Sequence, residues 1–318
     1  MDIDRLRFIF FPYTDERSIE AKTTGRRFVY YTTAETGYKI IKHREIWLRG
    51  TSTMNDYLEA EHGFECLNAA YKSESGIALQ KELEPIFPGL TEQVVVKFNE
   101  WLPRIRQDTY ITCLSEHLPE EDLNGRLSMW RAYGGNAGIA MVINGGVLFL
   151  KNESVRVSAH PVAYWTQEQM ETEFRRIAER IREHGDEVRA LDRTVAEGVV
   201  FQMFRFAMLC TKHPGFSEER EWRIIACPAM LPSPLLTQAV EVIRGVPQAV
   251  QKLTFANHAD LGIIGLEIHE VLNRLIIGPC EYPNAIWKAL HQLLLDGGIP
   301  NPERLIYASQ IPLRHAVL

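Results

Sequence analysis

A chain of 318 residues with 46% hydrophobic and 24% charged residues has the make-up of an ordinary globular protein, long enough for one large domain or two modest ones. Its net charge of -6 excludes a broadly basic nucleic-acid surface and leaves room only for a local basic groove. No apolar run has the length of a membrane span, and Asp2, Asp4, Arg5 and Arg7 interrupt any leader-like pattern at the start.

Phe28 to Tyr31 form a short strand, and Thr32-Thr33-Ala34-Glu35 reads as a capping box opening a helix that runs to about Lys42. Ile46 to Leu48 form a second strand. Ser52 to Asp56 is a polar loop that starts a helix reaching about Tyr71, and a helical region punctuated by Pro and Gly covers roughly 77 to 106. Strands follow at Thr109 to Ser115 and Gly138 to Ile143, with a short helix or turn at Arg126 to Tyr133 between them. Val155 to Ala163 alternates as a strand. The stretch from Thr166 to Thr211 reads as a helical hairpin broken near Gly185, with Phe174, Ile177, Ile181, Val188, Leu191 and Val195 at helical spacing. Strands are expected near 239 to 243, 251 to 255, 264 to 268 and 274 to 277. A helix from Ala285 to Leu295 ends at Gly297-Gly298, and a last strand lies near 304 to 308.

Helices and strands are interspersed without regular βαβ alternation. The expected architecture is therefore α+β, a mixed or mainly antiparallel split sheet with flanking helices, forming one domain over 1–318 with the hairpin of 166–211 inserted in it. Five dispersed cysteines without a CxxC pair suggest neither a zinc site nor a disulfide framework, and Cys113, Cys210 and Cys227 read as small core residues. The expected compartment is the reducing cytoplasm. No Walker phosphate loop, GxSxG elbow, HExxH helix or Rossmann glycine fingerprint is present, and no metal site is expected.

Candidate chemistry concentrates in a few segments. In Phe216-Ser217-Glu218-Glu219-Arg220-Glu221-Trp222-Arg223, Glu221 sits where a polar loop becomes a buried strand. A carboxylate there is either a strand-end partner of Arg220, Arg223 or another arginine, or a group poised for chemistry. Ser128-Met129-Trp130-Arg131-Ala132-Tyr133 supplies a hydroxyl, a cation and two flat rings. These suit a nucleobase and a phosphate, or else an amphipathic turn that buries Met129 and Trp130. Gly134 to Gly138 is either a turn or a cluster of N–H groups for an anion. Tyr30, Tyr31 and Thr32 lie at a strand-to-helix junction where a polar ligand edge can bind. Asn55 and Asp56 orient a site or cap a helix.

Taken in order, these segments resemble the bacterial family called domain of unknown function 2971. The resemblance rests on Tyr31-Thr32, Leu48…Ser52…Asn55-Asp56…Glu59, Cys113-Leu114-Ser115, Ser128 to Gly134, Gly138-Ile139-Ala140, Lys212-His213…Phe216…Glu219 to Arg223, and Ile277-Gly278-Pro279. The chain is more distantly similar to the ADP-ribosyltransferase superfamily, with Tyr30 where those proteins more usually carry His. That similarity implies an enzyme using NAD as substrate, with a nucleic acid or protein as acceptor, acting as a toxin or defence effector. Glu221 would steady the positively charged ribose and Glu219 would position the acceptor. Arg131 or Arg220 would hold the pyrophosphate and Tyr31 and Tyr133 would stack on the rings, while Tyr30, Thr32, Asn55, Ser128 and Trp130 would complete the nucleotide site. The same residues also admit a nucleotide- or ligand-sensing module without turnover, or a glycosidic or phosphodiester hydrolase using Glu219 and Glu221.

Overall fold

The computed structural model describes residues 1–53, 57–149, 155–243 and 245–312. Two helices, α1 (Ile3–Phe10) and α2 (Pro12–Thr23), precede β1 (Arg27–Thr33). Next come α3 (Ala34–His43), β2 (Glu45–Gly50), α4 (Tyr57–Lys72), α5 (Glu74–Leu83), α6 (Leu90–Gln107), β3 (Tyr110–His117), α7 (Leu127–Tyr133) and β4 (Gly138–Ile143). Then follow β5 (Ser158–Pro161), β6 (Ala163–Tyr164), α8 (Gln167–Glu183), α9 (Gly185–Arg189), α10 (Arg193–Leu209), β7 (Thr211–Lys212) and β8 (Glu221–Ala226). The hairpin β9 (Leu236–Ile243) and β10 (Val246–Thr254) leads to α11 (Ile268–Val271), β11 (Leu272–Ile277), α12 (Pro283–Asp296) and β12 (Ile306–Ala308). No helix among the described residues is long and apolar enough to cross a membrane.

The fold is α+β. Ten strands form one sheet in the order β12-β11-β4-β1-β3-β2-β10-β9, with β8 and β5 joined to it through β3. Its pairings are antiparallel except β11 with β12. β3 is where the sheet divides. Along one edge it pairs with β8 from Tyr110 to Ser115. Along the other it meets β2 only at Tyr110 and Ile111, and β1 only at Ser115 to His117. Thr112, Cys113 and Leu114 therefore pair with β8 alone, and β1 and β2 diverge around them. Beyond Val29, β1 pairs only with β4.

Strand alternation gives the divided sheet two different faces. On one, Ile111, Cys113 and Ile225 pack under the helical layer of α4, α5, α6, α8 and α10, while Val29 and Tyr31 pack under α7. On the other, α3 and α12 cover β4 and β11 through Ile40, Met141, Leu275 and Leu290, and Phe28, Leu114 and Trp222 form a separate cluster. The hairpin of 166–211 belongs to the largest apolar cluster: Phe174, Ile177, Ile181, Val200, Phe204 and Met208 are all buried in it.

Several local expectations change. Thr33, not Thr32, caps α3 by accepting from the Thr36 N–H at 3.2 Å, and Glu35 bonds Lys39 instead of closing a box. The strand expected over 155 to 163 is shorter and splits at Val162, because β5 pairs with β8 and β6 pairs with β7. Residues 264 to 268 do not form a strand; Gly265 has φ of +87°, which breaks extended backbone ahead of α11. Val195 is 44% exposed, since Asp192 caps α10 and restarts the helical phase.

Trp130 explains most of the Gly134 to Gly138 pattern. Its indole N–H donates to the Asn124 carbonyl at 2.8 Å, which fixes the ring, and Gly134, Gly138 and Gly278 close around it. A Cβ at Gly278 would lie 2.8 Å from the ring, and one at Gly138 would lie 3.1 Å from it. The glycines are there for close approach to an aromatic core. Gly278→Ala is expected to destabilise the protein by about 1–3 kcal/mol in urea denaturation, the usual cost of overpacking a fixed neighbour; an unchanged midpoint would mean that the ring moves freely.

Candidate active site

Where β1 and β2 part, the face carrying α7 opens into a cleft of about 160 Å³. β1 contributes Tyr30 and Tyr31, β3 contributes Thr112, Cys113 and Ser115, and α7 contributes Met129 and Tyr133. The far wall is Trp47 and Arg49 from β2, and Glu219 and Glu221 close the end.

The two carboxylates arrive through a strained turn. Residues Pro214–Glu219 form a 3₁₀ turn, and Arg220 adopts the left-handed conformation at φ +45° before β8 begins at Glu221. This conformation is costly for a residue with a Cβ, and side chains hold it in place. The Arg220 guanidinium pairs with Glu121 at 3.1 Å. Arg126, just before α7 and itself buried, donates to the carbonyls of Glu218 (2.7 Å), Glu219 (3.3 Å) and Glu116 (2.9 Å) and to the Ser115 hydroxyl (3.0 Å). It also grips Glu121 with two hydrogen bonds of 2.9 and 3.1 Å, and its backbone N–H donates to the Tyr31 hydroxyl at 2.8 Å. One residue, through its guanidinium and its backbone N–H, thus ties β1, the end of β3, the start of α7 and the carboxylate-bearing turn together.

Glu221 is buried and fully engaged. Its carboxylate accepts from the Arg223 Nε at 2.8 Å and from the Lys212 ammonium at 3.0 Å, while its backbone N–H donates to the Tyr164 hydroxyl at 2.8 Å. Lys212, only 1% exposed, bridges to Glu219 at 2.6 Å, and the Tyr133 hydroxyl donates to the other oxygen of Glu219 at 3.2 Å. Burial pushes the Glu221 carboxyl upward, but Arg223, Lys212 and the hydrogen bonds outweigh it and draw the pKa down to about 2. Glu221 is consequently an anion at every physiological pH and cannot serve as a proton donor there. Burial, reinforced by Glu221, raises the Cys113 thiol well above its ordinary value, so it is not a thiolate nucleophile.

The residues singled out from sequence divide into two groups. Tyr30, Tyr31, Tyr133, Glu219 and Glu221 line the one cleft. Tyr31 presents a ring that is already edge-on to Trp130 at 4.9 Å, with its hydroxyl taken by Arg126. The others are elsewhere. Trp130 is core, 2% exposed; Thr32 is buried behind the cleft; Ser128 donates to Glu218 at 2.9 Å. Arg131 points to solvent because it lies two residues, over half a helical turn, from Met129 and Tyr133 on α7. Arg220 is committed to Glu121, and the cations that hold Glu221 are Arg223 and Lys212. Asn55 and Asp56 lie outside the described residues. Cys113, expected in the core, is half-buried in the cleft wall.

Trp47, Arg49 and Arg126 were not among the candidate residues, and Lys212 entered only as part of the family pattern. Alternation in Glu45-Ile46-Trp47-Leu48-Arg49 places Trp47 and Arg49 on one face, a signal that was present in the sequence. Lys212 and Arg126 have no local signal, since their partners are distant in the chain or bonded through backbone carbonyls. Among the described residues no group of three or more His, Cys, Asp or Glu side chains is disposed to hold a metal ion.

The structure defines an α+β protein with a divided sheet and a cleft that ends in two anions and two cations. Residues 129–224, running from within α7 to within β8, match the model of the family described as a protein of unknown function, DUF2971. The matched stretch contains Tyr133, Lys212, Glu219, Glu221 and Arg223. No curated protein and no solved structure matches.

Removing the Glu221 charge leaves Lys212 and Arg223 short of a buried partner. Glu221→Gln is expected to cost about 3–5 kcal/mol of unfolding free energy at pH 7, the usual loss when one member of a buried pair is removed. The sign with pH follows from the depressed pKa. The carboxylate's contribution is complete above its unfolded value of 4.5 and is lost as pH falls toward about 2, because the unfolded chain binds the proton first. Urea titrations between pH 5 and 2.5 are expected to show a shallower acid limb for Glu221→Gln than for the wild type; equal slopes would place the carboxylate outside the ion-pair network.

Proposed function

We propose that the protein is an ADP-ribosyltransferase-like enzyme that takes NAD in this cleft and passes its ADP-ribose to a nucleic-acid or protein acceptor. The observation that supports it is the convergence of Tyr31, Tyr133, Glu219 and Glu221, drawn from the first and second halves of the chain, on the cleft where β1 and β2 diverge. In the reaction the bond between ribose C1′ and the nicotinamide nitrogen breaks, and its electron pair leaves with nicotinamide, which becomes neutral. The acceptor's lone pair forms the new bond to C1′, and its proton passes to Glu219 or water. Glu221, permanently ionised, faces the positive charge that develops on the ribose. Glu219, aligned by Lys212 and Tyr133, receives the acceptor. Arg49 replaces Arg131 and Arg220 as the side chain for the pyrophosphate, and Trp47 and Tyr133 offer flat faces to the rings. A cytoplasmic toxin or defence role fits an enzyme of this kind.

A second reading, nucleotide binding without turnover, is favoured by one specific feature: Lys212 and Arg223 already neutralise much of the field of Glu221. The paired-carboxylate hydrolase needs a carboxyl protonated near neutral pH. The shift of Glu221 runs the other way, so the proton would have to sit on Glu219.

Calorimetric titration with NAD and an assay of nicotinamide release separate the readings. The expected result is saturable binding, release of nicotinamide, and a loss of about 100-fold or more in turnover in Glu221→Gln with binding retained, the scale of losing one group that steadies transition-state charge. Arg49→Ala is expected to weaken binding. Binding without release selects the sensor, and absence of binding removes both.

A further inference from the structure

The divided sheet has a second cavity on its opposite face. It measures about 110 Å³ and is reached from the side of β5 and β10. Its walls are aliphatic: Met141 and Ile143 from β4, Val157 and Ala159 on the β5 side, Ile224 from β8 and Leu253 from β10 are representative. Of the described residues that line it, none is charged, and only Tyr30, Ser158 and Thr254 carry a side-chain oxygen. Burial raises the pKa of the Tyr30 hydroxyl, and Thr32 and Thr112 act against that rise. Leu253, Ile224, Phe255 and Leu266 are half-buried, so their apolar surface is turned into the cavity without being fully covered by protein.

Protein interiors seldom leave a void larger than a water molecule, and a void walled mainly by aliphatic side chains holds water poorly because it offers few hydrogen-bond partners. The walls lose dispersion contacts that an apolar guest would restore. A dry cavity of about 150 Å³ takes up benzene, so this one matches a guest of similar or slightly smaller bulk. Among the described lining residues the absence of charge and the small number of polar side chains select against nucleotides, sugars and ions. We infer that this cavity is a binding site for a small apolar group, the end of an alkyl chain, distinct in face and in chemistry from the cleft.

Tyr30 and Leu114 line both cavities and form the partition between them. A guest on the apolar side presses on the back of the residues that face the cleft, which makes the site a natural place for an effector. Binding itself does not depend on the cleft accepting NAD.

The test uses the full-length protein with 1-hexanol and hexanoate as probes, followed by methyl-resolved NMR. Saturable shifts of the methyl groups of Ile143, Ile224 and Leu253 are expected. Binding of 1-hexanol alone identifies an uncharged alkyl compound, and binding of hexanoate as well identifies a ligand whose carboxylate rests at the mouth; either outcome supports the site. In Ala159→Leu, which fills the cavity, affinity is expected to drop at least 10-fold while nicotinamide release or NAD binding, where present, is retained. If that variant fails to fold, a wild-type crystal under xenon gives the answer directly: density between Ile143 and Leu253 supports the site, and its absence overturns it. Non-saturable shifts, or equal binding by a folded Ala159→Leu, also overturn it.

Discussion

The buried ammonium of Lys212 is the interaction on which the rest of the cleft depends. It sits at the end of a two-residue strand, 1% exposed, with Glu219 at 2.6 Å and Glu221 at 3.0 Å. A lone buried lysine or glutamate would change its protonation state rather than stay charged. Here two carboxylates and two cations, with Arg223 the second, leave no net charge in a place of low dielectric. That balance lets Glu221 begin β8 while buried, and lets Glu219 reach out to Tyr133. It also sets a limit on the chemistry, because an anion flanked by two cations presents a weaker field to a ligand than an isolated one would.

The position of these charges is fixed by a second device with a different character. Arg126 makes three of its six side-chain hydrogen bonds to backbone carbonyls, and through these it specifies where the chain runs. Its bonds to Glu218 and Glu219 carbonyls, with the Arg220–Glu121 pair, stabilise the left-handed residue that turns the chain into β8. Charge balance and backbone clamp act on the same short segment, Glu218 to Arg223. Together they account for a carboxylate pair held at defined positions on a turn, where side chains are otherwise free to move.

Much of the sheet was legible in the sequence because its strands are short, alternating and bounded by turn residues. The carboxylate segment and the aromatic segment of α7 stood out for the same reason: charge and ring residues adjoin apolar runs. What the sequence concealed is depth and direction. Trp130 and Arg131 are neighbours in sequence, yet the helical rotation between them puts one under four glycines and the other in water. Trp47 and Arg49 looked like an ordinary strand because nothing local says that β2 forms the wall of a gap. Lys212 belonged to the family pattern but gave no sign of its burial, since lysines are rarely buried without partners and its partners lie beyond a turn. The expectation at Ile264 to Ile268 failed on a single backbone torsion, that of Gly265, which overrides a β-prone composition.

The division of the sheet connects these observations. β1 and β2 share one edge of β3 but touch it only at its two ends, and so Thr112 to Leu114 have a strand on one edge alone. Main-chain groups on such an edge must be satisfied by something other than a ladder. Strand alternation then makes the two openings of the gap unlike each other. Cys113 and Ser115 look toward Arg126, Glu221 and the polar cleft, whereas Leu114 looks toward Ile143 and Ile224 on the apolar side. Tyr30 spans the difference, with its ring packed against apolar side chains and its side chain lining both cavities. A continuous sheet would have closed both cavities with a ladder of hydrogen bonds. Leaving one gap open produces a polar recess and an apolar recess back to back, separated by one tyrosine and one leucine, and any movement of that partition must be felt on both faces.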